Sequence, residues 1–257
     1  MNKRIAIITD IHGNLEGLEA ILEDIKKQNV DDIICLGDTI DIGPNSKECI
    51  DMLIDNDIKM ILGNHELYLL RGTDIEPSIE GEEKKHYKWV KSFLTNKEIE
   101  YISRCPLFFE YTISYNDKIP DKKILFCHYL ICDKNLIQPF ERNNLKKDVN
   151  LFIKYNDENK IYVIGHLHKY FDFNEVDGIS ADFIEKTGEL PNIEVVESGG
   201  CSYDDEVGYT IIDINKNLNI KRIKVKFDRE KFIKKILETD FPDKKNILKI
   251  FYGINFQ

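Results

Sequence analysis

Five short apolar runs in this chain end abruptly at histidine, aspartate or asparagine, and that recurrence constrains the fold more than any other feature. Residues 5–8 run into Thr9-Asp10-Ile11-His12, residues 33–36 into Gly37-Asp38, and residues 59–62 into Gly63-Asn64-His65-Glu66. Residues 124–127 run into His128, and residues 161–164 into Gly165-His166-Leu167-His168. Compact apolar runs cut off by glycine or a polar residue read as strands buried on both faces. Helical patterns separate the first three. Leu15, Leu18, Leu22 and Ile25 share a face behind an Asn14 N-cap, and Cys49, Ile50 and Leu53 follow the opener Pro44-Asn45. Strand-helix-strand-helix-strand over the first 66 residues is the pattern of a parallel sheet wound with helices. In such sheets ligands bind beyond the C-terminal ends of the strands, which is where these polar residues fall.

The pattern then changes. Residues 73–85 are polar and acidic and read as a loop able to lie over a sheet edge; 86–94 and 97–103 read as helices and 107–115 as an aromatic-rich strand. Leu145, Val149, Phe152 and Ile153 mark a helix before the strand at 161–164. Beyond it, 193–196, 209–214 and 220–225 read as antiparallel strands, and helices near 229–237 and around Ile247 close a tail that reads as scaffold. No linker, repeat or low-complexity tract interrupts the chain. Residues 1–257 are therefore expected to form a single domain with a helical and loop insertion at about 67–123.

Lysine and arginine number 36 against 46 aspartates and glutamates, a net charge of -10. That balance argues against an extended nucleic-acid partner, because phosphate-backbone binding rests on clustered cations. The first apolar run is too short for a signal-peptide core, and no later run approaches membrane-spanning length. A cytoplasmic protein with no membrane partner is expected. The six cysteines are scattered without CxxC pairs and read as reduced thiols.

Of the six histidines, only His86 does not follow an apolar strand, and it is expected to be an ordinary surface residue. A single histidine or turn aspartate is more often a structural hydrogen-bonding group than a ligand. Five histidines at or just after strand ends, three of them beside Gly or Asn, need a common cause. Imidazole and carboxylate at convergent strand ends are what a divalent-metal site requires. In order, Asp10-x-His12, Gly37-Asp38-x-x-Asp41, Gly63-Asn64-His65-Glu66, His128 and Gly165-His166-x-His168 resemble the five-part signature of the calcineurin-like metallophosphoesterase family. The likeness runs from Asp10 to His168, and the remainder is similar, more loosely, to the family's small bacterial phosphodiesterase-like branch.

That resemblance implies an α/β fold of two mixed β-sheets packed face to face with helices on the outside, a four-layer αββα sandwich. It implies two divalent metal ions, of manganese, iron or zinc. Asp10, His12 and His168 would hold one and Asn64, His128 and His166 the other, with Asp38 bridging. A carboxylate has two oxygens, so one residue can hold two cations about 3.5–4 Å apart. The implied reaction is hydrolysis of a phosphomonoester or phosphodiester by attack of a metal-bound hydroxide, with His65 as proton donor to the leaving group and Asp41 orienting His65. Lowering the pKa of a bound water from 15.7 to about 7 makes the nucleophile about 12 kcal/mol easier to form. The substrate would be a small phosphate ester, nucleotides included.

The chain departs from the family where His128 is followed by Tyr129 rather than glycine, so that Tyr129 either crowds the second metal or lines the substrate pocket. Glu66 is expected to support neighbouring groups or cap a helix, and Asn14 to cap a helix. Arg71 and Arg104 can in principle clamp phosphate, but a solvated surface position is expected for each. Two other readings stay open: a catalytically inactive interaction scaffold on the same fold, and a two-metal hydrolase of a non-phosphate ester.

Overall fold

A computed structural model describes residues 3–73, 80–113, 122–129, 131–133, 136–137, 160–170, 193–215 and 218–256. The chain opens with β1 (Lys3–Ile8), α1 (Leu15–Ile25), β2 (Asp32–Cys35), α2 (Ser46–Asp55) and β3 (Lys59–Met60). Three helices follow, α3 (Asn64–Arg71), α4 (Gly81–Phe93) and α5 (Asn96–Arg104), and then the strands β4 (Phe108–Ile113) and β5 (Lys122–Cys127). After a small ribbon of β6 (Ile131–Asp133) and β7 (Leu136–Ile137) come β8 (Lys160–Ile164), β9 (Ile193–Val195), β10 (Glu206–Ile214) and β11 (Leu218–Lys226). Two helices, α6 (Arg229–Glu238) and α7 (Lys244–Tyr252), complete the described elements.

The larger strands form two mixed sheets. One has the order β11-β10-β1-β2-β3 and the other β4-β5-β8-β9. β1 pairs with β2, and β2 with β3, in parallel, whereas β10 joins β1 and β11 antiparallel. In the second sheet β4 and β5 are antiparallel, while β8 lies parallel to both β5 and β9. The expectation that residues 193–196 form an antiparallel strand is therefore corrected. Strand direction here is set by the connection from β8 to β9, which composition does not reveal.

Successive side chains of a strand point to opposite faces, and β1 uses both. Ile5 and Ile7 join a core shared with Ile124, Phe126, Ile161 and Val163 of the second sheet. Ala6 and Ile8 face the other way, into a core with Leu18, Ile21 and Leu22 of α1 and Phe232 and Ile236 of α6. The two sheets thus pack face to face, with helices over the outer face of the first. Each fully buried Leu, Ile or Phe contributes about 1.5–3 kcal/mol, so β1, buried on both sides, anchors the sandwich. The helix expected around 145–153 and the polar turn at 156–159 lie outside the described residues.

Residues 80–93 correct a second expectation. The polar loop predicted as far as residue 85 already belongs to α4 from Gly81, and Val90 and Tyr87 on that helix are buried. The expected helix at 97–103, ended by Pro106, is α5, whose N-cap Thr95 accepts from the Lys97 N–H. None of the described helices is long and apolar enough to cross a membrane, and the described cysteines are free thiols.

Candidate active site

The loops that leave β1, β2, β3, β5 and β8 all emerge on one edge of the sandwich, and backbone hydrogen bonds continue the sheet lattice into them. Asp10 N–H donates to Gly37 O (3.0 Å), His12 N–H to Asp38 O (2.9 Å), Gly13 N–H to Thr39 O (2.9 Å) and Gly165 N–H to His128 O (3.0 Å). Every strand-end residue singled out from the sequence arrives in this cluster: Asp10, His12, Asp38, Asp41, Asn64, His65, His128, His166 and His168. Asp10, His12, Asp38, Asp41, Asn64 and His128 are buried.

Asp38 is central. Its Oδ2 lies 3.0 Å from His128 Nε2, 3.8 Å from His12 Nε2 and 3.9 Å from His65 Nε2. On one side of it, His12 Nε2 and His168 Nε2 are 3.2 Å apart, with Asp10 Oδ1 3.4 Å from His168 Nε2. On the other, Asn64 Oδ1 lies 3.1 Å from both His128 Nε2 and His166 Nδ1. Two of the rings have their tautomer fixed by backbone carbonyls, which can only accept. His12 Nδ1–H donates to Ile40 O (3.1 Å) and His128 Nδ1–H to Leu36 O (2.8 Å).

His65 lies edge-on to the His12 ring, with the centroids 4.8 Å apart. Its Nδ1 is 3.0 Å from Asp41 Oδ2 and 3.0 Å from Tyr87 Oη. Burial works against charge on both partners and pushes Asp41 up to about 6, although His65 opposes the rise. On His65 burial lowers the pKa, but the carboxylates of Asp38 and Asp41 outweigh it and lift the ring above its usual range. His65 N–H also donates to Asp38 Oδ1 (2.9 Å), so the residue that faces Asp41 with its ring fixes Asp38 with its backbone.

Glu66 holds the loops in register. One oxygen accepts from Asp38 N–H (2.8 Å) and Gly63 N–H (2.9 Å), the other from Thr39 N–H (2.8 Å) and Ile40 N–H (3.4 Å). Burial, and then Asp38, push its pKa up to about 7 against those donors. It therefore fills both roles expected of it, cap and support. At Gly63 a Cβ would fall on Asp38 Oδ1, so only glycine lets the loop after β3 approach that carboxylate.

Strain collects at the same edge. Among the described residues, ten that are not glycine have positive φ, and seven of them are Asp10, His12, Asp38, Asp41, Ile42, His166 and His168. Left-handed backbone costs an L-residue about 1–2 kcal/mol, and a β-branched one such as Ile42 tolerates it least. The Asp41–Ile42 turn is held from outside: Ser46 Oγ accepts from Asp41 N–H (3.0 Å), and His86 Nε2 accepts from Ile42 N–H (2.9 Å). His86 is buried on α4, which corrects its expected place on the surface. Its ring is a structural acceptor for a strained turn, and no local pattern announces that.

A cleft of about 530 Å³ opens over the cluster, lined by Asp38, Asn64, His65, His166 and His168. It is also lined by Cys201, Ser202 and Tyr203 after β9, and by Ile250 and Phe251 of α7. The tail is thus more than scaffold. One signal was available, the pair Gly199-Gly200, because a Cβ at Gly200 would collide with Ile11 O. Asn14 caps α1 by accepting from Gly17 N–H (2.9 Å) and also donates to Gly200 O (2.7 Å). Tyr129 is buried, its ring 5.3 Å from that of His128 and 5.4 Å from that of His166. Arg71 is exposed, and Arg104 is exposed and pairs with Glu100.

An uncharacterized protein of Methanocaldococcus jannaschii is 27% identical over 257 aligned positions, covering 93% of this chain and 94% of that protein. A symmetrical bis(5'-nucleosyl)-tetraphosphatase of Psychromonas ingrahamii is 37% identical over 67 residues, 25% of this chain and 24% of that enzyme. The crystal structure of a metallophosphoesterase from Sphaerobacter thermophilus shares the fold with a TM-score of 0.67 at 18% identity, over 98% of this chain and 99% of the other. The sequence profile of calcineurin-like phosphoesterases matches residues 3–222. With that match across the strands and loops described above, the chain belongs to the calcineurin-like phosphoesterase family.

Proposed function

We propose that this chain is a dinuclear-metal-dependent hydrolase of phosphomonoesters or phosphodiesters, in which His65 gives a proton to the leaving oxygen. The observation that carries the reading is the position of Asp38 Oδ2, within 4 Å of Nε2 on His12, His65 and His128. His12 and His128 give their Nδ1 protons to backbone carbonyls, so each turns Nε2, the nitrogen left to bind a cation, toward a carboxylate oxygen. Lone pairs and carboxylates directed at one another fit cations between them, and the set of imidazole, carboxylate and amide oxygen suits manganese, iron or zinc. Asp10, His12 and His168 would hold one ion, and Asn64, His128 and His166 the other, with Asp38 shared.

When bound, two such ions supply Lewis acidity for the phosphoryl oxygens and a water ionised near neutral pH. The chain's own residues do the rest. Asp38 is oriented by the His65 N–H and by the loop that Glu66 clamps. His65, oriented by Asp41, presents Nε2 near Asp38 and the cleft, where its proton can pass to a departing alkoxide. The cleft suits a small phosphate ester, and the partial likeness to a symmetrical bis(5'-nucleosyl)-tetraphosphatase favours nucleotides within that class.

A substrate panel of p-nitrophenyl phosphate, bis(p-nitrophenyl) phosphate and p-nitrophenyl acetate, each with added manganese, tests the reading. Hydrolysis of a phosphate ester that disappears in Asp38→Asn is expected, with about two metal ions per chain by elemental analysis. Activity confined to the acetate would overturn it.

A further inference from the structure

The loop after β9 brings to the cluster one donor that the proposed mechanism leaves unused. Atoms of His12, His168 and Cys201 capable of binding a metal all lie within 4.8 Å of one another. The two imidazoles face each other through Nε2 at 3.2 Å, and His12, fully buried, has its Nδ1 proton committed to Ile40 O. Its Nε2 therefore offers a lone pair into the same space that the sulfur faces. Cys201 Sγ lies within 4.8 Å of a nitrogen on both rings and is 3.9 Å from Tyr252 Oη. Among the described cysteines, Cys201 alone belongs to such a group.

The thiol is placed by the loop that bears Asp10 and His12. Ser198 Oγ accepts from Cys201 N–H (2.7 Å) and donates to Asp10 O (2.7 Å), and Gly199 N–H donates to Thr9 O (2.8 Å). Sulfur and the two rings are thus carried on segments tied directly together.

We propose that Cys201 is an additional metal donor on the His12–His168 side of the site, which biases that position toward thiophilic divalent cations. The inference rests on the metal-dependent reading above. On binding, the thiol proton leaves to solvent and the sulfur lone pair forms the metal bond. A sulfur donor favours zinc, iron or cobalt over manganese or magnesium, which prefer oxygen.

Cobalt(II) reports the ligand directly. Reduced, metal-stripped protein is titrated with cobalt(II) while its absorption is followed. Visible d–d bands show that the ion binds, and a near-ultraviolet sulfur-to-cobalt charge-transfer band shows that a thiolate holds it. Wild type is expected to show both. Cys201→Ser should keep the visible bands, lose the charge-transfer band and bind zinc about tenfold more weakly, with manganese affinity much less affected. In the wild type, zinc should also slow alkylation of Cys201, read by peptide mass spectrometry, which decides the matter even if the variant folds poorly. Visible bands with no charge-transfer band, or with one that persists in Cys201→Ser, would overturn the role of Cys201 and leave the metal site standing. Absence of cobalt binding would overturn both.

Discussion

His65 Nδ1 lies 3.0 Å from Asp41 Oδ2, on a strained turn at the edge of the cluster, while Nε2 of the same ring is 3.9 Å from Asp38 Oδ2. The pairing orients the ring so that Nε2 faces the cleft, as a proton donor needs and a structural histidine does not. His65→Asn should therefore cut turnover by about 10²–10⁴-fold, most for esters with poor leaving groups, while metal content stays at the wild-type level. Turnover with several p-nitrophenyl and alkyl phosphates, measured beside elemental analysis, checks this. Loss of metal in the variant would make His65 a ligand instead.

In the proposed reaction Asp41 acts through His65, to which it is hydrogen-bonded. Asp41→Asn keeps the size and one acceptor oxygen but removes the charge that favours protonated His65. The expected outcome is a fall in kcat of about tenfold or more with KM little changed, because the group that positions the donor is altered and the phosphate-binding groups are not. A steady-state comparison that showed the loss entirely in KM would place Asp41 in substrate binding.

Glu66 accepts from four backbone N–H groups with two buried oxygens. In Glu66→Gln one oxygen becomes an amide donor facing two of those N–H groups. Each buried donor left unsatisfied costs about 1–3 kcal/mol. Denaturant unfolding should show a loss of that order, and metal affinity should fall as well, since the Asp38 N–H is one of the groups released. Unchanged stability in the variant would mean that the loops at 38–40 and 63 do not depend on this carboxylate.

Metal should stabilise the fold. A ligand that binds only the folded chain adds about 2.7 kcal/mol at a hundred times its dissociation constant. Chelator-treated protein should accordingly unfold at lower temperature, and added manganese or zinc should restore it. The same addition to Asp38→Asn should restore much less, because the carboxylate proposed to be shared by the two ions is gone.

The strand ends were readable because burial on both faces turns β1, β2, β5 and β8 into unbroken apolar runs, and the polar residues follow them at once. The donor cluster at those strand ends came from the same pattern. What escaped depends on tertiary placement. Cys201 and Phe251 reach the cleft because β10 pairs with β1 across more than 200 residues of sequence and α7 returns over that edge. The parallel direction of β9 follows from a crossover, and neither relation leaves a local periodicity. His86 was misplaced for a related reason: a single histidine on a polar helix gives no sign that it will lie under Ile42 and accept its N–H.

That histidine makes stability depend on pH in a defined direction. Burial lowers the His86 pKa to about 3, and in the unfolded chain it returns to about 6.5. Between those values the unfolded chain binds a proton that the folded chain does not. The contribution of neutral His86 is therefore complete above the unfolded value and is lost as pH falls toward the folded one, at up to about 1.4 kcal/mol per pH unit. Going from pH 7 to 4.5 should cost about 2–3 kcal/mol through this residue alone. His86→Gln keeps an acceptor for the Ile42 N–H but cannot titrate, so its urea-unfolding free energy should fall less than the wild type's over that interval, by about that amount. Parallel pH profiles for the two proteins would show that the ring is already protonated in the fold, and that another acceptor holds the Asp41–Ile42 turn.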